Sequence, residues 1–230
     1  MSRHFAIVPA AGSGSRMGAG RPKQYLELAG RPLIWHALAA LAGARRIACV
    51  CVVLSPEDDW WPRFDWAPLA ARLRVLRVGG ATRAQTVGNA LEALAADVAP
   101  EDWMLVHDAA RACLTTAQVD ALIDALADDA VGGLLAQPVA DTLKRGDAAS
   151  RVAQTVPREA MWQAQTPQMF RHGVLRRALA EAPHVTDEAG AIESLGLAPR
   201  LVAAEAPNFK VTFPQDLALA ELILRARGER

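Results

Sequence analysis

The sequence predicts an α/β domain with a mostly parallel central sheet and helices on both of its faces. Three observations carry this. Between residues 5 and 136, short apolar runs alternate with amphipathic helical stretches, the pattern of a covered parallel sheet. The run at 47–54 is almost wholly apolar and rich in β-branched residues, as a strand buried on both faces must be. Three loops bearing glycine or charge, at 10–23, 79–86 and 107–111, each follow a predicted strand. Ligands on open parallel sheets bind beyond the carboxyl ends of the strands.

The chain has 230 residues, 52% of them hydrophobic, enough for one domain with a large core. Lys plus Arg and Asp plus Glu number 25 each, so no basic excess points to nucleic acid. No apolar run reaches membrane-spanning length. The first apolar run is too short for a signal peptide and leads into a glycine-rich turn. Cys49, Cys51 and Cys113 lack zinc spacing, and Cys49 and Cys51, on one face of a strand, read as small core residues in a reducing cytoplasm. No repeat or low-complexity segment is visible.

The elements follow in order. Residues 5–8 form a buried strand. Pro32 opens a helix whose face is Leu33, Ile34, Ala37, Leu38 and Leu41, ending near Gly43. After the strand at 47–54 comes a loop or short helix at 56–66 with three tryptophans, read as packing residues. A third strand covers 74–78, and Gly79-Gly80 ends it. A helix follows from about Thr82 with Val87, Leu91 and Leu94 inward. Residues 103–106 make a fourth strand. Thr115 or Thr116 caps a helix carrying Val119, Leu122, Ile123 and Leu126, and 133–136 is a fifth strand. Residues 141–145 and 151–155 read as a polar hairpin about Gly146-Asp147. The chain returns at 162–170. Helices over about 174–182 and from Thr186-Asp187-Glu188, a strand from Leu201 and a closing amphipathic helix from Pro214 complete it.

The stretch at 5–25 organises the chemistry. An apolar strand passes into a turn through Gly12, Gly14 and Gly18, with Arg16 and Lys23 as its cations. Glycines let the backbone lie against a ligand, and consecutive amides in such a loop form an anion-binding concavity. Three better-known loops do not fit. Walker A needs Gly-Lys followed by Ser or Thr, whereas Lys23 follows Pro22. A dinucleotide fingerprint wants an acidic residue closing the second strand, and the strand at 47–54 ends in Ser55. A nucleophile elbow is absent.

Pro9-Ala10-Ala11-Gly12-x-Gly14-x-Arg16-Met17, with Lys23 downstream, resembles the signature of nucleotidyltransferases that activate sugar and alditol phosphates. Later segments narrow the resemblance, over nearly the whole chain, to the 2-C-methyl-D-erythritol 4-phosphate cytidylyltransferases. These are Gly79-Gly80 with Arg83 and Thr86, Val106-His107-Asp108-Ala109-Ala110-Arg111, Asp141-Thr142, Arg158, Gln165-Thr166-Pro167-Gln168, Thr186-Asp187-Glu188 and Asn208-Phe-Lys210-Val-Thr212. The sequence departs from the family pattern at Ala81, usually Asp, and at Ala112, usually Pro.

The resemblance implies a single Rossmann-like three-layer domain over residues 1–230, with a protruding β-hairpin dimerisation arm at about 138–161. It implies transfer of the cytidylyl group of CTP to an alditol phosphate, with Mg²⁺ or another divalent cation and a homodimer whose sites are shared through the arm. The carried-over catalytic residues are Arg16, Lys23, Arg158 and Lys210. Nucleotide contacts fall on Pro9, Ala10, Ala11, Gly12, Gly14, Gly80, Arg83, Thr86 and Asp108. Substrate contacts fall on Asp108, Arg111, Thr142, Arg158, Thr166 and Lys210, with Asp108 also the metal ligand and His107 structural. Arg158 and Thr166 are expected from the partner subunit. Ribitol 5-phosphate is the alternative substrate, and a nucleotide-binding module without turnover the alternative from another class. A dehydrogenase is disfavoured by the loop spacing.

Overall fold

The computed structural model describes residues 2–12, 21–205 and 207–228. Its strands are β1 (His4–Pro9), β2 (Glu27–Leu28), β3 (Arg31–Pro32), β4 (Ile47–Val53), β5 (Leu73–Leu76), β6 (Trp103–Val106), β7 (Gly132–Pro138), β8 (Leu143–Gly146), β9 (Val152–Val156), β10 (Trp162–Arg171) and β11 (Arg200–Ala203). Its helices are α1 (Leu33–Gly43), α2 (Arg83–Leu94), α3 (Thr116–Ala125), α4 (His172–Glu181), α5 (Glu188–Ser194) and α6 (Pro214–Ala226).

Among the described residues, seven strands form the central sheet in the order β11-β7-β10-β6-β1-β4-β5. Neighbours are parallel except β10, which runs antiparallel to both β6 and β7. The expected α/β architecture is therefore present, with one reversed strand inside the sheet. Strand alternation divides β1 between two cores. Ala6 and Val8 face a cluster completed by α1 and α3 through Ile34, Leu38, Val119 and Leu122. Phe5 and Ile7 face the opposite cluster, with Val87 and Leu91 of α2, Leu175 of α4 and Ile192 of α5. A smaller cluster seats α6 through Ala220 and Leu224 against Leu33 and Cys113.

Local chemistry sets the element ends. Thr82 caps α2 by accepting from Gln85 N–H. Thr115, the first of the two candidate caps, closes a reciprocal capping box with Gln118 on α3, a device worth about 1 kcal/mol. The third strand ends at Leu76 rather than at Val78, because Val78 gives its carbonyl to Asn89 Nδ2 and the chain turns there. The tryptophans of the 56–66 segment pack: Trp61 and Trp66 stack at 3.8 Å, and Tyr25 stacks on Phe64 at 5.4 Å. No helix among the described residues is long and apolar enough to cross a membrane.

The arm is a separate two-stranded antiparallel sheet, β8 with β9, continuing outward from the paired ends of β7 and β10. Asp147 organises its tip, its carboxylate accepting from the Ala149 and Arg151 amides. Nearly all its residues are exposed.

Candidate active site

The loops after β1, β5 and β6 converge on a cleft of about 570 Å³, as the strand order requires. Pro9, Ala10, Ala11 and Gly12 form one wall, Gly80 to Thr86 a second, and Asp108 with Lys210 a third. The first two walls touch closely. A Cβ on Gly79 would lie 2.3 Å from Ala11 Cβ, and one on Gly80 would lie 2.5 Å from Gln85 Cγ. Gly79, which would also meet the Leu54 carbonyl at 2.7 Å, thus excludes a side chain, whereas at Gly80 the exposed Gln85 side chain would have to move. Lys23 enters from a short helical turn over Lys23–Tyr25. Gln24 fixes that turn by donating to Ala10 O at 2.8 Å, and Tyr25 OH donates to Asp58 at 2.8 Å. Lys23 Nζ reaches Val211 O at 2.7 Å, beside Lys210.

Asp108 is the electrostatic centre. Its Oδ1 accepts from Arg83 Nε at 2.8 Å, its Oδ2 lies 2.8 Å from Lys210 Nζ, and Arg111 Nε stands at 3.9 Å. Burial alone would raise its pKa, but Arg83 and Lys210 outweigh burial and hold the carboxyl well below the usual carboxylate range. Arg83 also forms a two-pronged pair with Glu188, Nη1–Oε1 at 2.7 Å and Nη2–Oε2 at 3.0 Å. The surplus positive charge in the cleft suits a polyphosphate.

Three site residues expected to touch ligands are engaged with the protein itself. Thr86 lines the cleft, yet its hydroxyl accepts from Gly80 N–H and donates to Thr82 O, so it shapes the loop. Arg111 donates to the carbonyls of Asn208 and Ala164, tying the segment before Lys210 to β10. Thr166 accepts from Asp108 N–H and lies 2.9 Å from His107 Nδ1. The expectation that Thr166 comes from a partner subunit is corrected: β10 runs beside β6, which brings Thr166 to Asp108 of its own chain.

These bonds fix the His107 tautomer. Nε2 faces Arg111 O at 3.2 Å and must carry the proton. Nδ1 is then bare and accepts from the Thr166 hydroxyl. Burial lowers the His107 pKa to about 4, so the ring is neutral and structural at pH 7. As pH falls, the unfolded chain takes up the proton first. This contribution to stability is complete above 6.5 and erodes between 6.5 and about 4, by roughly 3 kcal/mol in all. In His107→Gln, an amide can both donate to Arg111 O and accept from Thr166. Urea unfolding of that variant is expected to change less between pH 7 and pH 4.5 than in the parent. Equal pH dependence in the two proteins would contradict the assignment.

Thr142 and Arg158 lie on the exposed arm and do not line the cleft of their own chain. Arg158 Nη1 donates to Ala140 O. Gly14 and Arg16 fall outside the described residues. Sequence reasoning gave no role to Glu188, Gln24 or Gln168. Glu188 stood in a quoted motif, but an acid in the first turn of a helix is also an ordinary preference, which hid its pairing. Among the described residues no group of three or more His, Cys, Asp and Glu could hold a metal ion.

Residues 4–226 match the family model described as 2-C-methyl-D-erythritol 4-phosphate cytidylyltransferase. A protein of that name from Dechloromonas aromatica (strain RCB) is 62% identical over 227 residues, covering 99% of this chain and 100% of the relative. Its namesake from Nitrosomonas eutropha is 58% identical, covering 99% of each chain. A crystal structure of a 4-diphosphocytidyl-2C-methyl-D-erythritol synthase superposes with a TM-score of 0.86 at 40% identity, covering 97% of this chain and 99% of the other. The cytidylyltransferase structure from Thermus thermophilus gives 0.78 at 34% identity, covering 98% and 100%. A cleft of clustered cations at the strand ends and these full-length matches agree: the chain belongs to the 2-C-methyl-D-erythritol 4-phosphate cytidylyltransferase family.

Proposed function

We propose that the enzyme transfers the cytidylyl group of CTP to 2-C-methyl-D-erythritol 4-phosphate, giving 4-diphosphocytidyl-2-C-methyl-D-erythritol and pyrophosphate in non-mevalonate isoprenoid biosynthesis. The observation that carries this reading is the family's signature cleft, with Arg83 and Lys210 paired to Asp108 and Lys23 lining the same cleft. The nucleophile is a phosphate monoester, whose second pKa is about 6. It is already anionic at pH 7 and needs no general base, which accords with a neutral, buried His107. The obstacle is bringing two anions together, so positioning and fixed positive charge do the catalysis. Lys23 and Arg16 hold the triphosphate, while Lys210 and Arg158 hold the alditol phosphate in line.

Asp108 is the only acidic residue lining the cleft among the described residues. One carboxylate suits Mg²⁺ when phosphate oxygens and water complete the shell. The donor set therefore fits a metal that arrives with the triphosphate. Bound there, the cation would neutralise charge on the phosphates.

We also propose a homodimer in which the arm delivers Arg158 and Thr142 to the partner's cleft. The arm is a two-stranded sheet with nearly all its residues exposed, and a lone hairpin is marginal in water, which favours support from a second chain. Cys49, Cys51 and Cys113 are all thiols, which accords with a cytoplasmic enzyme.

Pyrophosphate release should be measured from CTP, UTP, ATP and GTP with each of 2-C-methyl-D-erythritol 4-phosphate and ribitol 5-phosphate. Strong preference for CTP is expected, because a site that hydrogen-bonds one base leaves buried groups unpaired with another. Equal use of all four triphosphates, or release only with ribitol 5-phosphate, would overturn the assignment. CTP binding without release would favour a regulatory module.

A further inference from the structure

Four elements close a ring behind the cleft. Asp108 follows β6, Arg83 opens α2, Glu188 opens α5 and Gln168 lies on β10. Arg83 joins the first three, giving Nε to Asp108 and both Nη groups to Glu188. Gln168 joins α5 to β10: its Nε2 donates to Asp187 at 2.9 Å, and its Oε1 accepts from Ala189 N–H at 2.8 Å. Gln168 is in register with Val106, two residues before Asp108, which completes the circuit. Glu188 thus sits between two residues clamped by one amide, and no part of it is exposed. It does not line the cleft.

A buried carboxylate this far from solvent is costly unless paired, and fold maintenance alone could be served by an apolar side chain. What Glu188 supplies is direction. A guanidinium has five donors in a rigid plane. With both Nη groups held by Glu188, Arg83 presents only Nε to Asp108. Released from Glu188, the plane is free to turn both Nη groups onto Asp108 or onto an incoming phosphate. Either move would draw Asp108 away from Lys210 or pull the triphosphate off line.

We propose that Glu188 is a positioning residue for cytidylyl transfer, acting through Arg83 to hold Asp108 and Lys210 in their working arrangement. This rests on the reaction proposed above, so the parent enzyme's pyrophosphate release from CTP and 2-C-methyl-D-erythritol 4-phosphate is the first control. Its absence would sink that reading and not this one in particular.

The test is a double-mutant cycle with Glu188→Gln and Arg83→Gln, each checked for folding by circular dichroism and thermal unfolding. Glu188→Gln is expected to lower kcat by about ten- to a hundredfold, the scale of a small misalignment at a reacting centre, with the KM for CTP little changed. In the Arg83→Gln background the same change is expected to alter kcat by less than about twofold, since coupled sites are not additive. Unaltered kcat in Glu188→Gln, a loss confined to KM, or losses that multiply across the cycle would each overturn the inference. Arg83→Gln leaves Glu188 buried without its guanidinium, so should either single variant fail to fold, Arg83→Lys, which keeps a cation beside Glu188, serves as the background. A folded Arg83→Lys, Glu188→Gln protein as active as Arg83→Lys supports the proposal. One that is less active, or that also fails to fold, refutes it.

Discussion

Lys23→Ala and Lys210→Ala are each expected to lower turnover by roughly a hundredfold, with Arg16→Ala alongside them. On the proposed reaction, each change removes a positive charge that would hold phosphate charge as it develops. The structure explains why the fold should survive. Lys23 donates to Val211 O, but Val211 N–H independently bonds Ala110 O at 2.8 Å, so the segment keeps an anchor. The Lys210 side chain is 42% exposed, and its loss leaves Asp108 still paired with Arg83. Charge and stability are therefore separable at these two sites. Steady-state pyrophosphate release with thermal unfolding of the same samples checks this. Near-parental turnover in a folded Lys23→Ala or Lys210→Ala protein would mean the cations are only surface charges.

Heterodimers of Lys23→Ala with Arg158→Ala are expected to regain close to half of parental activity, although each variant alone is nearly inactive. Arg158 sits at the base of an exposed arm and does not line its own chain's cleft, whereas Lys23 does. If the arm crosses to a partner, one site of the heterodimer combines Lys23 of one subunit with Arg158 of the other, both intact. The second site carries both lesions. If Arg158 acts on its own chain, every site carries one lesion and nothing returns. The recovery would be about fiftyfold over either single variant, given a hundredfold loss at each. Verified heterodimers that stay inactive would refute the shared site while leaving the chemistry untouched.

Much of this molecule was legible in its sequence, for reasons that differ by element. The strands β1, β4 and β6 are buried on both faces, so near-continuous apolar runs gave their positions. Helices α1 to α3 carry one apolar face each, and their ends are fixed by Pro32, Thr82 and Thr115. The direction of β10 was not legible, because an apolar run reads the same along a parallel or antiparallel neighbour. The tight β2–β3 hairpin was missed too. Its turn uses Ala29 at φ 48° before Gly30 at φ 77°, and alanine does not advertise a left-handed position. In the site, the sequence pattern led to Asp108, Arg83, Lys23 and Lys210, which meet in space. The bonds that the Thr86 and Thr166 hydroxyls make within the chain were not legible, because nothing in a threonine as a letter says which backbone group it meets.

The reversed strand also governs how the chain can come together. β10 enters between β6 and β7 only after the arm has been made, so the β6–β10 pairing joins residues more than 60 positions apart. Until then β6, the apolar run Trp-Met-Leu-Val, forms the open border of a half-built sheet. An unpaired, uncharged edge is a template for other chains, and pairings distant in sequence form late. Any sheet assembled before β10 is made would therefore leave a fully buried strand at its edge. The arrival of β10 ends the exposure and, in the same movement, sets Thr166 against Asp108.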